Sequence, residues 1–237
     1  SEERFTRVKN DMEYPYESIE YVIKASNISA NEINYVAIAG LETDAISLKL
    51  KRSIRHTIPD YIDEMHEHWK KTLIENKKSD YMLRLLENKD YMSRGTKNYY
   101  DYSFMETEPQ ENWIELLNET RIHTVEKHLG ISRDKIRFID HHSAHAHYAY
   151  YASDRTNERK GTVITADSWG DGCNATISVT NDGNIKEIHR TSMCNLVRIY
   201  RWSTLILGMK VDEHEYKVMG MAPYAKDYVR DPVYNIY

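Results

Sequence analysis

The segment from which the fold prediction starts reads Ile136-Arg-Phe-Ile-Asp-His-His-Ser-Ala-His-Ala-His147. Its apolar beginning, with two β-branched isoleucines, is typical of a short strand over Ile136 to Asp140. Small and aromatic residues follow from His142 to Ala152 and predict a helix. A strand that passes directly into a helix is the repeating unit of α/β proteins, so the segment indicates that class.

The sequence on either side repeats this alternation of strands and helices. Apolar residues recur there at helical spacing or in short β-branched runs. The predicted elements are a strand that should be buried, Ile33 to Gly40, a second strand, Thr162 to Asp167, and helices over Glu17 to Asn27, Asp60 to Asn76, Asn112 to Leu129 and Asn195 to Leu207. The Asp-Gly pair in Asn181-Asp-Gly-Asn184 favours a type I′ hairpin turn. We therefore predict an α/β protein with mixed sheets.

Two stretches interrupt this pattern. Leu86 to Pro109 is polar and rich in tyrosine, which predicts a long loop or lid, and we expect its part from Asp90 to Phe104 to contact a substrate. Ser153 to Gly161 is charged and turn-like, and it marks a predicted boundary between one domain over residues 1–158 and another over 159–237. Because the chain opens at Ser1 and stops at Tyr237 without a terminal cap, we expect a fragment of a longer protein.

The composition is that of a soluble globular protein. The 237 residues are 41% hydrophobic and 29% charged, with a formal net charge of -5. A mildly acidic chain gives no electrostatic reason to expect a nucleic-acid partner. No run of about 18 apolar residues occurs, so no membrane-spanning helix is expected. The two cysteines, Cys173 and Cys194, are too few for a disulfide scaffold, and we expect a cytoplasmic protein.

The densest chemical signal is a cluster of four histidines between His141 and His147. If the helix begins near His141, the imidazoles of His141 and His145 lie one turn apart on one face. Two neutral imidazoles at that spacing can hold a divalent metal such as zinc, iron, nickel or copper. His142 occupies the position at which a zinc protease of the H-E-x-x-H type carries its glutamate base, so protease chemistry is not expected. The alternative is that these are partly exposed histidines at a helix start.

A second signal follows the strand Thr162 to Asp167 and reads Thr165-Ala-Asp-Ser-Trp-Gly-Asp-Gly172. Asp167, Gly170 and Gly172 form an Asp-x-x-Gly-x-Gly pattern. The glycines would let backbone amides approach a phosphate while the carboxylate holds a cation, as in ATPases of the actin and sugar-kinase type. A tight hairpin turn explains the same glycines without any ligand.

A third signal is the motif from Glu213 to Tyr224. We predict a short helix that contains Glu213, Glu215 and Lys217 and is ended by Gly220 and Pro223. Glu213 and Lys217, four residues apart, could form a solvated ion pair on one helix face. A lysine backed by acids near a glycine could instead contact a phosphate.

Three segments together resemble the carbamoyltransferase family of nodulation and antibiotic-biosynthesis proteins. They match the family in order and spacing over essentially the whole chain. The segments are Glu2-Glu-Arg-Phe-Thr-Arg7, Asp140-His-His-Ser-Ala-His145 and Glu213-His-Glu-Tyr-Lys-Val-Met-Gly-Met-Ala-Pro-Tyr224. The resemblance implies an actin-like ATPase fold with two related subdomains, incomplete at both ends here. Enzymes that make threonylcarbamoyl-adenosine in tRNA use the same kind of fold.

The resemblance also implies an activity. In this family carbamoyl phosphate and ATP yield a carbamoyl-adenylate in a separate C-terminal domain, and the metal-containing domain passes the carbamoyl group to a substrate hydroxyl. The small-molecule partners would be carbamoyl phosphate, ATP and a hydroxylated natural product or saccharide. The adenylate-forming domain would lie beyond Tyr237, so this fragment alone should be inactive. A homodimer is an open alternative to a monomer.

Site residues follow from the resemblance position by position. His141 and His145 match metal ligands, for iron(II) or another divalent transition metal, and would be the catalytic residues. The matches to the nucleotide site, where Mg²⁺ is a further candidate, are Asp167, Gly170, Gly172, Glu215, Lys217 and Gly220. The sequence Asp167-Ser-Trp-Gly-Asp differs from the commoner Asp-Gly-x-Gly form, and a further aspartate ligand would lie past Tyr237.

Two other functions fit parts of these patterns. A sugar-kinase-like phosphotransferase would use the glycine-flanked aspartate with Mg²⁺ and ATP, and it would not need the histidine pair. A non-catalytic homologue that binds a nucleotide or a metal would keep the fold without the chemistry.

His142 and His147 are candidates for a general base in carbamoyl transfer, because the acceptor hydroxyl must lose a proton.

Overall fold

A computed structural model of the chain describes residues 1–8, 11, 13–41, 46, 50–51, 56–87, 99–153 and 160–226. Contacts divide the chain into two compact units. The first combines Ser1–Arg55 with Met82–Cys194, and the second combines His56–Tyr81 with Asn195–Tyr237. This division does not follow the predicted domain boundary at residue 159, and most of the stretch that marks that boundary, residues 154–159, lies outside the described residues. The assignment of two related subdomains therefore stays a prediction.

The described part of the chain is mixed α/β. The α-helices are α1 (Glu3–Thr6), α2 (Tyr16–Ser26), α3 (Ile58–Glu64), α4 (Tyr81–Leu86), α5 (Phe104–Thr107), α6 (Trp113–Leu129), α7 (His141–Tyr151), α8 (Asn195–Ile206) and α9 (Glu215–Met221). The strands are β1 (Val36–Ala39), β2 (Ile136–Ile139), β3 (Lys160–Gly170), β4 (Cys173–Asn181) and β5 (Asn184–Thr191). These bounds confirm the predicted α/β class and, within a few residues, the predicted elements outside α9.

In the first unit, β1 and β2 form a parallel pair in the register Val36↔Ile136. Their apolar side chains pack against α2 and α6 in a core that includes Tyr14, Ile122, Val125 and Leu129. Helix α6 ends at Gly130, which has the positive φ of 64° expected of a C-terminal glycine. Strand β1 was predicted to be buried, but alternate residues in it are exposed. That prediction was wrong because Val36 and Ile38 face the core and are half-buried, while Ala37 and Ala39 face the other way and are exposed.

Strands β3, β4 and β5 form an antiparallel meander in the same unit. The β4–β5 turn contains Asp182 and Gly183 with φ of 49° and 83°. Positive φ at both central residues is the signature of the predicted type I′ turn, which is thereby confirmed. Strand β3 loses register between Ala166 and Gly170, because Ala166 pairs with Ala175 and Gly170 pairs with Cys173. Residues 167–169 therefore bulge out opposite a single residue of β4.

Helix α7 packs on β3 and β4 through a stripe of buried residues at four-residue spacing, His142, Ala146 and Tyr150. His142 is completely buried. Its Nδ1 lies 2.7 Å from the Thr165 hydroxyl on β3, and its Nε2 lies 3.3 Å from the Cys173 carbonyl oxygen on β4. Because Nε2 donates to the carbonyl, Nδ1 accepts from the Thr165 hydroxyl, which lies 2.6 Å from that of Thr176. The buried polar side chains of His142, Thr165 and Thr176 are thus hydrogen-bonded to one another or to the backbone.

In the second unit, Tyr61, Leu205 and Val211 form the buried centre. The predicted helix Asp60 to Asn76 exists in two parts, α3 and a π-helical continuation over Met65–Ile74. Residues five apart share a face of a π-helix, which lets the Trp69 indole N–H donate to the Glu64 carboxylate at 2.7 Å. Helix α9 begins at Glu215, so the prediction that Glu213 lies inside this helix was wrong.

The end of α9 also differs from the prediction. Gly220 lies inside the helix, and Pro223 lies in a 3₁₀ turn, Ala222–Tyr224, that follows it. Asp212 has a φ of 62°, so the backbone there is left-handed and the chain turns before the helix begins. The Glu215 carboxylate accepts a hydrogen bond from the backbone N–H of Asp212, at 2.7 Å, across this turn. An acidic group in the first turn of a helix is favourable, so the start at Glu215 has a local cause.

The tyrosine-rich loop predicted between Leu86 and Pro109 is described only in part, since residues 88–98 lie outside the described residues. The described part is not a loose lid. It contains α5, and the ring of Tyr102 is only 2% exposed. In the described ranges, no helix combines the length and the apolar composition needed to cross a bilayer.

The role of His142 in holding α7 on the sheet leads to a stability prediction. His142→Ala removes a fully buried ring and leaves Thr165 and the Cys173 carbonyl without their partners, so it should lower the free energy of unfolding by about 3 kcal/mol. His147→Ala, on the exposed face of the same helix, should change it by less than about 0.5 kcal/mol. Denaturant unfolding followed by circular dichroism measures both. Equal losses in the two variants would contradict the structural role of His142.

Candidate metal centre

The first part of the site is the start of helix α7. Asp140 follows strand β2 and caps the helix, because its Oδ1 accepts a hydrogen bond from the backbone N–H of Ser143 at 2.7 Å. The other carboxylate oxygen of Asp140 lies 2.9 Å from Nη2 of Arg190 on β5. The cap fixes where the helix begins, so His141 is its first residue and His145 lies one turn later on the same side. The predicted facing of His141 and His145 is confirmed.

The second part of the site is the bulge in β3. It turns the Asp167 side chain toward α7, where Oδ2 lies 2.8 Å from His141 Nε2 and 3.2 Å from His145 Nε2. The two imidazole Nε2 atoms are 3.1 Å apart. Two histidines and one aspartate thus present three ligand atoms to a common point. Bulges recur beside functional sites because they redirect a side chain out of the regular alternation.

These residues fit a divalent transition metal. Metal–ligand bonds of about 2.1 Å place neighbouring ligand atoms about 3.0 Å apart at right angles and about 3.4 Å apart in a tetrahedron. The three observed separations fall close to the first value. A donor set of two imidazoles and one carboxylate suits iron, zinc or a similar ion better than Mg²⁺, which prefers oxygen ligands. Three protein ligands also leave coordination positions free for a substrate.

The site opens toward solvent on one side. The side chains of His141, Asp167 and His145 are 30%, 37% and 52% exposed. The hydrogen bond from His141 holds the pKa of the Asp167 carboxyl at about 2, with the backbone N–H of Ser168 and the charges of both histidines acting in the same direction. Asp167 is therefore ionised at neutral pH, as a metal ligand must be.

Gly170 has a direct role in this geometry. A Cβ atom added to it would lie 2.2 Å from Cδ2 of the His141 ring. Any larger residue would therefore displace the imidazole, so glycine is required here by the close approach of a ring. Asp171 and Gly172, with φ of 49° and 75°, form the turn between β3 and β4. The tight hairpin turn that was the alternative explanation for the glycines is thus observed. The assignment of Asp167, Gly170 and Gly172 to a nucleotide site stays a prediction.

The other predicted site residues lie in the second unit. Glu215 accepts from the N–H of Asp212, and its backbone carbonyl accepts from the Tyr200 hydroxyl at 3.0 Å. Lys217 Nζ lies 5.9 Å from the centre of the Tyr216 ring. Gly220 has open space where a Cβ would be. These contacts show structural roles for Glu215, and the nucleotide role of Glu215, Lys217 and Gly220 stays a prediction.

Neither candidate for a general base gains support. His142 is buried between helix and sheet, and desolvation lowers the pKa of its imidazole, so it remains neutral. His147 is exposed, and its Nδ1 lies 2.7 Å from the Ser143 carbonyl oxygen one turn earlier. Sequence reasoning assigned Asp167 to the phosphate loop, with its carboxylate holding a cation, but did not name it as a ligand of the same metal as His141 and His145. An acid at the end of the predicted strand was the available signal.

Comparison with known proteins gives distant relatives that are longer than this chain. The uncharacterized protein sll1178 of Synechocystis sp. is 25% identical over 233 residues, which cover 95% of this chain and 30% of that protein. The uncharacterized protein MJ1051 of Methanocaldococcus jannaschii is 24% identical over 225 residues, which cover 94% of this chain and 28% of that protein. The chain thus spans less than a third of the length of these relatives.

The family described as carbamoyltransferase N-terminus matches residues 1–237. The match covers both units and includes the His141, His145 and Asp167 cluster. The chain therefore belongs to the carbamoyltransferase N-terminal family.

Proposed function

We propose that this chain is the metal-binding, group-transferring domain of an O-carbamoyltransferase. The observation that supports the proposal is the convergence of His141, His145 and Asp167 in a member of a carbamoyltransferase family. The donor would be carbamoyl-adenylate, made from carbamoyl phosphate and ATP by another part of a longer protein. The acceptor would be a hydroxyl of a natural product or saccharide, as the resemblance to this family implies.

The transfer balances without a further reactant. The acceptor oxygen forms a bond to the carbamoyl carbon, and the bond from that carbon to the phosphate oxygen breaks. The products are a carbamate ester, AMP and one proton. Since AMP is a good leaving group, the principal task for the protein is to position the acceptor and the donor against each other.

The residues of the first unit fit this task. His141 and His145 present nitrogen ligands from a helix, and Asp167 presents an ionised carboxylate oxygen from the bulge in β3. A divalent metal bound there would supply a Lewis acid for a substrate oxygen. Iron(II) is our first choice for it. The exposed side of the cluster leaves room for the two substrates, and the packing of the His141 ring on Gly170 restricts its motion.

The nucleotide would be held by other predicted residues. We assign the phosphates of the adenylate to the glycine turn at Gly170 and Gly172, on the pattern of an actin-like ATPase fold. A nucleotide-binding role for Glu215, Lys217 and Gly220 in the second unit is proposed from the resemblance alone. Mg²⁺ would accompany ATP. The positive φ of Gly172 supports this assignment, because backbone N–H groups in such turns can face an anion. The relatives that extend far beyond the matched region support a role for further domains.

The metal site can be tested on this chain alone. The wild-type chain, reconstituted with iron(II) or zinc and then desalted, should hold about one metal ion per chain by element-resolved mass spectrometry. His141→Ala combined with His145→Ala should reduce the metal content to background, because a single carboxylate binds such ions weakly. His147→Ala keeps the same helix composition nearly unchanged and should retain wild-type content. Full retention in the double variant would exclude the proposed ligands.

The activity needs a full-length protein that contains this chain. With carbamoyl phosphate and ATP, it should transfer a carbamoyl group to a hydroxylated acceptor, detected by mass spectrometry together with one AMP released per transfer. Asp167→Asn should abolish transfer, because it removes the charged ligand while it preserves the side-chain shape. A phosphorylated acceptor with ADP release would indicate the phosphotransferase instead. Binding of nucleotide and metal without turnover on any acceptor would indicate a non-catalytic homologue.

A further inference from the structure

Asp171 makes a pair of contacts that the sequence did not suggest. It lies in the β3–β4 turn, four residues after Asp167. Its Oδ2 accepts a hydrogen bond from the backbone N–H of His141 at 2.6 Å, and its Oδ1 accepts one from the backbone N–H of Leu41 at 2.8 Å. The two oxygens of one carboxylate thus join the residue that starts α7 to a residue that follows β1.

The contact with His141 acts at a sensitive place. The first N–H groups of a helix have no partner within the helix, and a negative charge beside them is stabilising. In α7, Asp140 satisfies the N–H of Ser143, and Asp171 satisfies the N–H of His141. The backbone of a metal-ligand residue is therefore anchored by a carboxylate from outside its own helix.

The same turn also contacts the side chain of His141. Gly170, the residue before Asp171, lies directly against the imidazole ring. His141 is consequently held at two points by neighbouring residues, with Gly170 at the ring and Asp171 at the backbone. Together the two contacts limit the directions in which Nε2 of His141 can face Asp167.

Two arginines on other elements anchor the two segments that Asp171 joins. Arg190 on β5 donates from Nη1 to the backbone carbonyl of Asp171 at 3.3 Å and from Nη2 to Asp140 at 2.9 Å. Arg121 on α6 donates to the backbone carbonyls of Gly40 and Ala39 at 2.9 Å and 3.1 Å. These residues directly precede Leu41, whose backbone N–H donates to Asp171. Asp171 thus lies between two anchored segments and is not a freely mobile turn residue.

We propose that Asp171 is a positioning residue of the metal centre, which sets the orientation of His141 through the N–H of the first helical residue. The inference rests on the proposed metal-binding function. A metal site whose ligands are oriented by hydrogen bonds to neighbouring residues typically binds its metal about 10- to 100-fold more weakly when such a neighbouring residue is replaced. Asp171 does not itself join the three ligand atoms.

The choice of substitution follows from the backbone. Asp171 has a φ of 49°, a conformation that asparagine tolerates well and alanine tolerates poorly. Asp171→Asn keeps the shape of the side chain and the turn, but it offers only one oxygen acceptor. Either the backbone N–H of His141 or that of Leu41 must then face the amide NH₂ group and lose its hydrogen bond. Asp182→Asn is the matched control, because Asp182 has the same φ of 49° in the β4–β5 turn, at the other end of strand β4.

The experiment is a titration of the 237-residue chain with Co²⁺, whose visible absorption reports the number and arrangement of its ligands. Asp171→Asn should weaken Co²⁺ binding about 10- to 100-fold and alter the absorption bands, while thermal unfolding of its metal-free form stays close to that of the wild type. Asp182→Asn should match the wild type in affinity and in absorption. Asp171→Ala should weaken binding at least as much as Asp171→Asn.

Three results would overturn the inference. Wild-type affinity and absorption in Asp171→Asn would show that the carboxylate does not orient His141. Equal loss in Asp171→Asn and Asp182→Asn would show that general stability of the hairpin turns is responsible. Failure of the wild-type chain itself to bind Co²⁺ would reject the proposed metal centre. This third result cannot be confused with the first two, because both of those are observed only when the wild-type chain binds Co²⁺.

Discussion

The burial of His142 between helix α7 and the β3–β4 sheet is the constraint on which the site depends. Its ring bonds to the Thr165 hydroxyl and the Cys173 carbonyl, and it fixes both the distance and the rotation of α7 on the sheet. His141 and His145 occupy the adjacent helix face and are thereby carried to the rim, next to the strand that contains Asp167. A helix rotated by one residue would bury a ligand histidine and expose His142.

His141, His142 and His145 are close together in the sequence, but this arrangement gives His142 a different burial and different contacts from the other two. Burial lowers the pKa of His142 and keeps it neutral inside the protein. His141 and His145 stay accessible and share the ionised Asp167 carboxylate. The family match and the donor set are the two observations behind the proposal of a metal site on this helix–sheet pair.

Much of this fold could be predicted from local patterns. The helix period of residues 112–129, the Asp-Gly turn near residue 182 and the His141–His145 spacing are short-range features, and the structure confirms them. The actin-like fold and the nucleotide residues, which the sequence suggested by resemblance, stay predictions. The position of Glu213 outside α9 was missed because the left-handed backbone at Asp212, with a φ of 62°, interrupts the chain before the helix, and the residue pattern does not show this.

The composition of the site could be predicted only in part. The sequence identified both histidines, but the direction of Asp167 depends on a bulge of residues 167–169, and the bulge depends on strand register, which is a pairwise property of β3 and β4. The requirement for Gly170 arises from contact with a ring 29 residues earlier in the chain. Long-range contacts of this kind leave no periodic signal in a single sequence.

X-ray absorption spectroscopy of the iron- or zinc-loaded chain tests the central claim most directly, because it counts the atoms bound to the metal. The structure predicts a first shell that contains two imidazole nitrogens and one carboxylate oxygen at about 2.1 Å, with the outer-shell scattering pattern of imidazole. A first shell made only of oxygen atoms, without imidazole scattering, would contradict the account.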